Sequence, residues 1–291
     1  MPYNLLLSLL LLAPDGPALE PEHARNPVLR DVIEAGLKSG RAVEKLPEPT
    51  FRDELTADQQ HAALRQIAGS DRNVQELLRD SVTAPQVLRL RDVKAEDVTL
   101  RAGDLTFILR ADLDAIHPEE AFARFHGQAT EAGNMRVEAR VLSAADPKGT
   151  PAADLAKDEW FTRASARLLD RIAFESTDRV TASRSADSLV IASRTDPRFG
   201  PKSRWPNRWS TVVRAGEPGK PGPSHPYDGG ISYIKLSRLK SMPGALVVEV
   251  HFALAEPRAW FDGEPILRSK FAIIAQDQVR RIRRELQKAK K

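Results

Sequence analysis

Hydrophobic positions along this chain follow a helical period first and a strand period later. Between Asn26 and Leu78 the spacing is helical. Asn26-Pro27 supplies an N-cap followed by proline at the first helical position, and Val28, Val32, Ile33 and Leu37 follow on one side. The segment Lys45 to Phe51, KLPEPTF, is a linker whose prolines no helix crosses. Thr56, with Gln59 three residues later, has the capping-box pattern and precedes Leu64, Ile67 and Ala68. Ser70 opens a further helix through Leu77 and Leu78.

At Pro85 the period becomes two. Val87 to Val93 reads as a strand. In the next, Leu105, Phe107, Leu109, Ala111 and Leu113 alternate with Thr106, Ile108, Arg110, Asp112 and Asp114. His117 to Gly127 reads as a short helix, Met135 to Leu142 as a strand, and Thr150-Pro151 opens a helix reaching Leu169. RIAFE, RVTASRS and SLVIASR read as three strands, the last two joined by a turn at Ser185 to Ser188. Asp196 to Gly230 is a loop-rich region holding a short strand, Trp209 to Arg214. Ile231 to Leu239 and the strand starting at Ala245 are the last strands. Ala275, Val279, Ile282, Leu286 and Ala289 then mark a narrow apolar seam on a long final helix.

Strands that neighbour one another in sequence predict an α+β fold. Its sheet is mainly antiparallel and curved, with an N-terminal helical region and a long C-terminal helix packed on the sheet. From Thr150 the order helix, antiparallel strands, long helix resembles the helix-grip fold of the START type. The resemblance covers about 140 residues, rests on element order, and implies a curved sheet wrapped around a helix with an apolar cavity between them. Fold alone assigns no activity.

Composition narrows the classes. The chain has 291 residues, 41% of them hydrophobic and 29% charged, with no cysteine. Disulfides, thiol chemistry and thiolate metal sites are excluded. Asn4 to Ala13, NLLLSLLLLA, is shorter than the roughly 20 residues of a membrane span and is followed by Gly16-Pro17-Ala18. This is the layout of a secretory signal peptide cleaved after Ala18, although MPYN carries no basic side chain. The expected organisation is a signal peptide over 1–18, a helical region over 19–83 and an antiparallel α+β domain over 84–291. The last two either fold together or stand apart. The net charge of +4 belongs to the C-terminal end, where Arg268 to Lys291 hold nine basic and two acidic residues.

Four places carry candidate chemistry. In ALVVEVHFALAEPRAWFDG, Leu246, Val248, Val250, Phe252 and Leu254 form one side of a strand and predict core. Glu249 and His251 lie on the other side, two residues apart. A carboxylate beside an imidazole can orient and activate it as a general base. The same pair is also what a polar sheet surface carries, unless Trp260 and the nearby Pro/Gly loop fold over it. Trp260 predicts either a plug or a pocket wall. Arg204, Trp205, Arg208 and Trp209 interleave guanidinium and indole, a pattern that holds sugars, anions or single-stranded nucleic acid. His225, Tyr227 and Asp228 are the reactive side chains of the loop from Glu217 to Gly230. Arg280, Arg281, Arg283, Arg284 and Lys288 surround the seam of the last helix and suit an anionic surface. The six histidines have no metal-binding spacing, and no GxSxG or phosphate-cradling glycine loop occurs. No metal or cofactor is therefore expected.

Three readings follow. The first is an exported envelope protein that binds an amphipathic or anionic small molecule or an envelope polymer, with membrane-surface contact through its last helix. Nucleic acid is a poor partner for an exported chain. The second is a metal-independent hydrolase using Glu249 and His251. The third is an adaptor binding a partner through its N-terminal helices, which predicts an exposed apolar stripe there.

Overall fold

The computed structural model describes residues 21–122, 130–131, 135–142, 155, 158–212 and 221–289. The signal peptide expected over 1–18 and the start of the helix expected at Thr150 lie outside the described residues. Helices α1 (Pro21–Ala24) and α2 (Pro27–Glu34) come first. Asn26 caps α2 by accepting from the Leu29 amide at 2.9 Å. The helix stops short of the predicted Leu37. Gly36 has φ +70°, and a Cβ there would meet the Glu44 carbonyl oxygen at 2.3 Å. That approach turns the chain into a hairpin of β1 (Leu37–Ser39) and β2 (Ala42–Glu44), too short for any periodicity to announce. Helices α3 (Ala57–Ala68), with the Thr56/Gln59 capping box formed, and α4 (Asp71–Leu78) follow the linker.

The strands are β3 (Val87–Lys94) and β4 (Val98–Arg110), then, after helix α5 (Pro118–Phe122), β5 (Thr130–Glu131), β6 (Met135–Leu142), β7 (Glu159–Leu168), β8 (Ile172–Arg184) and β9 (Ser188–Thr195). Residues 159–168 are thus strand, not the end of the predicted helix. Their alternation of Trp160, Thr162 and Ala164 with Phe161, Arg163 and Ser165 places different neighbours on two sides. Leu169 and Asp170, at φ 53° and 52°, form the tight turn into β8. The two strands expected between 171 and 185 are one continuous strand, β8. The remainder is β10 (Arg208–Thr211), β11 (His225–Pro226), β12 (Gly230–Arg238), β13 (Ala245–Pro257) and the C-terminal helix α6 (Ile266–Ala289).

Among the described residues, nine strands run in the order β3-β4-β13-β12-β9-β8-β7-β6-β5, every pair antiparallel. β10 pairs with the first part of β8, and β11 with β10. The fold is α+β, with a large curved antiparallel sheet and the C-terminal helix packed on it.

Both sides of the sheet are covered. On the inner side, Leu105, Phe107, Leu189, Ile234, Leu236, Leu246 and Val248 pack with Val279 and Ile282 of α6. Ala275 and Leu286 complete the predicted seam. On the outer side lies the N-terminal segment. Val28, Leu29 and Val32 pack with Val190, Ala192 and Ala253. Phe51, Leu64, Val74 and Leu77 pack with Ile108, Ala245 and Val247. The apolar side of these helices is therefore spent on the sheet. Among the described residues the large exposed apolar side chains are Val43, Val141 and Ile273, none in α2, α3 or α4. No described helix is long and apolar enough to cross a membrane.

Candidate ligand-binding site

Alternation on the central strands decides what faces α6. On β7 it is Thr162 and Ala164, on β8 Phe174, Ser176 and Asp178, on β9 Ser193 and Thr195, and on β12 Ser232. Together with β6, β13 and α6 these residues line a partly open cavity of about 320 Å³. One wall is apolar: Met135, Val137, Ile231, Phe252, Leu254 and Ile274. The other wall carries hydroxyls around a single carboxylate, with Gln278 of α6 opposite. The volume falls at the small end of ligand pockets.

The polar wall is ordered by its own hydrogen bonds. Thr195 Oγ1 donates to Asp178 Oδ1 at 2.7 Å and accepts from the Gly230 amide at 2.9 Å. The preceding residue must be glycine: Gly229 has φ +85°, and a Cβ would lie 2.2 Å from Thr195. The Asp228-Gly229-Gly230 turn is thus pressed onto Thr195 and aims its hydroxyl at Asp178. Ser176 donates to Asp178 Oδ2 at 3.3 Å, and the Ser193 and Ser232 hydroxyls bond at 2.9 Å. Burial pushes the Asp178 carboxyl up to about 6, an effect that the Thr195 and Ser176 hydrogen bonds and the Arg163 charge only partly offset. Thr162, 1% exposed, has a hydroxyl with no hydrogen-bond partner among the described residues.

Beside the cavity stands an aromatic group that brings together four residues singled out in the sequence. Trp260 stacks on Phe174 at 5.6 Å and on Tyr227 at 5.5 Å, and meets Trp209 edge-on at 6.1 Å. Trp209 in turn stacks on His225 at 4.6 Å. Phe174 and Tyr227 line the cavity, so Trp260 buttresses its wall from behind. Burial raises the Tyr227 hydroxyl far above its ordinary value and keeps it protonated. Past Phe174 is a second, open depression of about 430 Å³ that includes Arg136, Glu138, Glu175, Arg208 and Trp209. Its charges are matched locally: Arg208 pairs with Glu175 and Arg136 with Glu138, both at 2.6 Å.

Glu249 and His251 are elsewhere, on the outer side, and they are not on a wet surface. Glu249 is 1% and His251 5% exposed. Their cover is the proline linker, not Trp260 and the Pro/Gly loop. Glu249 accepts from the Thr50 and Phe51 amides at 2.9 and 3.0 Å. His251 Nδ1 bonds Asp104 at 2.6 Å, and its Nε2 lies 3.8 Å from Glu249, an ion-pair distance and not a hydrogen bond. Tyr233 stacks on the imidazole at 4.7 Å and donates to the Pro47 carbonyl at 2.8 Å. Burial lowers the His251 imidazole, but Asp104 and Glu249 outweigh it and raise it above its ordinary value. Burial likewise raises the Asp104 carboxyl, but the bonds and charges of His251 and Arg91 hold it below the usual range. Nearby, Lys235, fully buried, pairs with Asp53 at 3.3 Å.

The other expected residues scatter. Trp205 lies under Arg140, Arg163 and Arg204, at 4.9, 5.8 and 5.3 Å, on the outer side of β7. Asp228 accepts from Ser39. Arg284 is exposed, and Arg280 and Arg281 are partly exposed. Arg283 corrects the expectation of a surface role. It is buried over Phe107, its Nε donates to the Ile108 carbonyl at 3.1 Å, and it also bonds the Ala84 and Pro85 carbonyls. Burial lowers its guanidinium to about 10. The Lys288 side chain lies outside the described residues. Among the described residues no group of three or more His, Cys, Asp and Glu could hold a metal ion.

Sequence reasoning missed Asp178, Ser176, Thr195 and Thr162. A signal existed in IAFESTDRV. There Phe174, Ser176, Asp178 and Val180 share one side, which places a carboxylate on an otherwise buried side.

No protein-family profile and no curated protein matches the chain. Solved structures with some likeness include the human StarD13 (DLC2) lipid transfer and protein localization domain. It has 7% identity and a TM-score of 0.36, with 67% of this chain and 88% of that one covered. Human STARD10 shows 11% identity and a TM-score of 0.34, with 82% and 87% covered. Protein Ms6760 from Mycobacterium smegmatis shows 11% identity and a TM-score of 0.29, with 67% and 96% covered. At these scores no ligand and no residue role carries over to this chain.

Proposed function

We propose that this protein is a binding module that holds an amphipathic small molecule between the inner side of the sheet and α6. The observation that carries the reading is the cavity itself: one apolar wall, one hydroxyl-rich wall, and an aromatic buttress at Trp260. An apolar enclosure with a few convergent polar groups is the usual form of a small-molecule site. Filling it should abolish binding. Ala164→Phe, on the β7 wall of the cavity, is expected to lower affinity for a fluorescent amphiphile at least ten-fold while leaving the far-ultraviolet circular dichroism unchanged. Undiminished binding would place the ligand elsewhere and end this reading.

Export to the cell envelope belongs to the same proposal and is supported by the apolar run Asn4 to Ala13 and by Gly16-Pro17-Ala18. Mass spectrometry of the protein from its native host should find a chain beginning at Leu19. A full-length cytoplasmic protein would refute it. The exposed Arg284 and the partly exposed Arg280 and Arg281 support contact between α6 and an anionic lipid surface. Cosedimentation with phosphatidylglycerol vesicles, lost on triple substitution with Gln, would bear this out. Binding unchanged by the substitutions would not.

A further inference from the structure

Charge inside the cavity is one-sided. Among the described residues, Asp178 is the only carboxylate of its lining, and no Lys, Arg or His lines it. The basic side chains around it are spent in other directions. Arg163 projects to the outer side, where it pairs with Glu175 at 3.0 Å and donates to the Pro206 carbonyl at 2.9 Å. Arg101, one cross-strand position from Leu254, is buried between Glu256 and Asp92, at 2.7 and 2.8 Å. A carboxylate offers about four acceptor positions. The Asp178 oxygens receive one short bond from Thr195 and one long bond from Ser176. A hydroxyl, Thr162 Oγ1, lies buried in the same lining without a partner. Unpaired polar groups at such a site are costly when empty and discriminating when filled.

Resting on the cavity reading above, we infer that the ligand's polar end is a hydrogen-bond donor, an amine before an alcohol, which bonds Asp178 and Thr162 while its apolar part lies against Phe252, Leu254 and Ile274. A carboxylate or phosphate headgroup would set like charge against Asp178, with no cation among the described lining residues to offset it. This narrows the amphipathic-or-anionic class expected from sequence to the class without negative charge in the cavity.

Decylamine, decanol and decanoate share one chain and differ only at the head. Calorimetric titration of the full chain at neutral pH, each ligand below its micellar concentration, separates them. Decylamine is expected to bind at least ten-fold tighter than decanoate, with decanol between. Asp178→Asn, which keeps the shape and the acceptor for Thr195, should remove that preference. Thr162→Val should weaken the amine and the alcohol by about five-fold, the worth of one hydrogen bond. If decanoate binds tightest, or if the amine keeps its preference in Asp178→Asn, the head-group assignment is overturned while the cavity reading stands. If none of the three binds, or all still bind after Phe replaces Ala164 or Ala139, the cavity reading falls and takes this one with it.

Discussion

The two sides of one sheet bury polar groups in opposite ways. On the outer side, the buried charges lie beside opposite charges or amides, although His251 Nε2 makes no hydrogen bond. Glu249 holds two linker amides, His251 sits between Asp104 and Glu249, and Lys235 pairs with Asp53. On the inner side, among the described residues, Asp178 has hydroxyls but no cation in its lining, and Thr162 has no partner. The outer groups fasten one layer to another. The inner ones face a void and are left for something that enters it. Buried charge therefore does not mark a site by itself. Missing partners beside empty volume do.

The contrast predicts opposite outcomes for similar substitutions. Glu249→Ala should have the largest effect, lowering stability by about 3–5 kcal/mol in urea denaturation, because it strips a buried charge network of its acceptor. The Thr50 and Phe51 amides should lose protection from hydrogen exchange in the same variant. A loss below about 1 kcal/mol would mean that the clamp holds nothing.

Next in size, Ile282→Ala, behind the inner apolar core, should cost about 2–5 kcal/mol. It should leave the protection of the Thr50 and Phe51 amides relative to global unfolding unchanged. Loss of that protection would show that the two sides are not separable.

Asp178→Asn should do the reverse and raise stability at neutral pH by about 1–2 kcal/mol, below the full value of the shift because the cavity is open to solvent. The folded carboxyl titrates at about 6 against 3.8 when unfolded. Stability linked to it is therefore fully present below 3.8 and lost as pH rises through 6. That slope should vanish in the variant. The outer side responds in other windows. Stability from the raised His251 is present below its ordinary 6.5 and is lost as pH rises through the raised value. Stability from the lowered Asp104 is present above 3.8 and is lost as pH falls through the lowered value.

The smallest effects form the sharpest pair. Ser237 donates to the Phe51 carbonyl at 3.1 Å, so Ser237→Ala should cost about 1 kcal/mol. Thr162→Val removes an unsatisfied hydroxyl and should gain about 1 kcal/mol. Stability changes of the same sign in the two variants, read from thermal melts, would mean that the two sides do not differ in this way.

Much of this architecture was legible in the sequence because it rests on local chemistry. The Asn26 and Thr56 caps, the Ser185 to Ser188 turn, the alternation through Phe107 and Leu246, and the α6 seam each leave a short-range pattern. Residues 159–168 were misread because small and polar residues such as Ala164 and Ser165 fit a helix as well as a strand. Leu37 was misread because the helix stop depends on Gly36 approaching Glu44, a contact outside the periodic window. The site was half legible. Trp209, His225, Tyr227 and Trp260 announced themselves as aromatic or polar residues in irregular segments, and the structure gathers them. Asp178 and Thr162 look ordinary in sequence, since what distinguishes them is the partner each lacks. Glu249 and His251 looked reactive for the converse reason: the amides that occupy Glu249 come from about 200 residues earlier.

That last separation has a consequence for the order of assembly. β4 forms a local hairpin with β3, but its other edge stays open until β13 arrives from residues 245–257. The proline linker finds its carboxylate acceptor only on that same late strand. Contacts so distant along the chain make folding slow. During synthesis α2 can settle only once β8 and β9 have emerged, and the linker waits longer still, for Glu249. The clamp of Thr50 and Phe51 on Glu249 therefore closes after the pairing of β3 with β4.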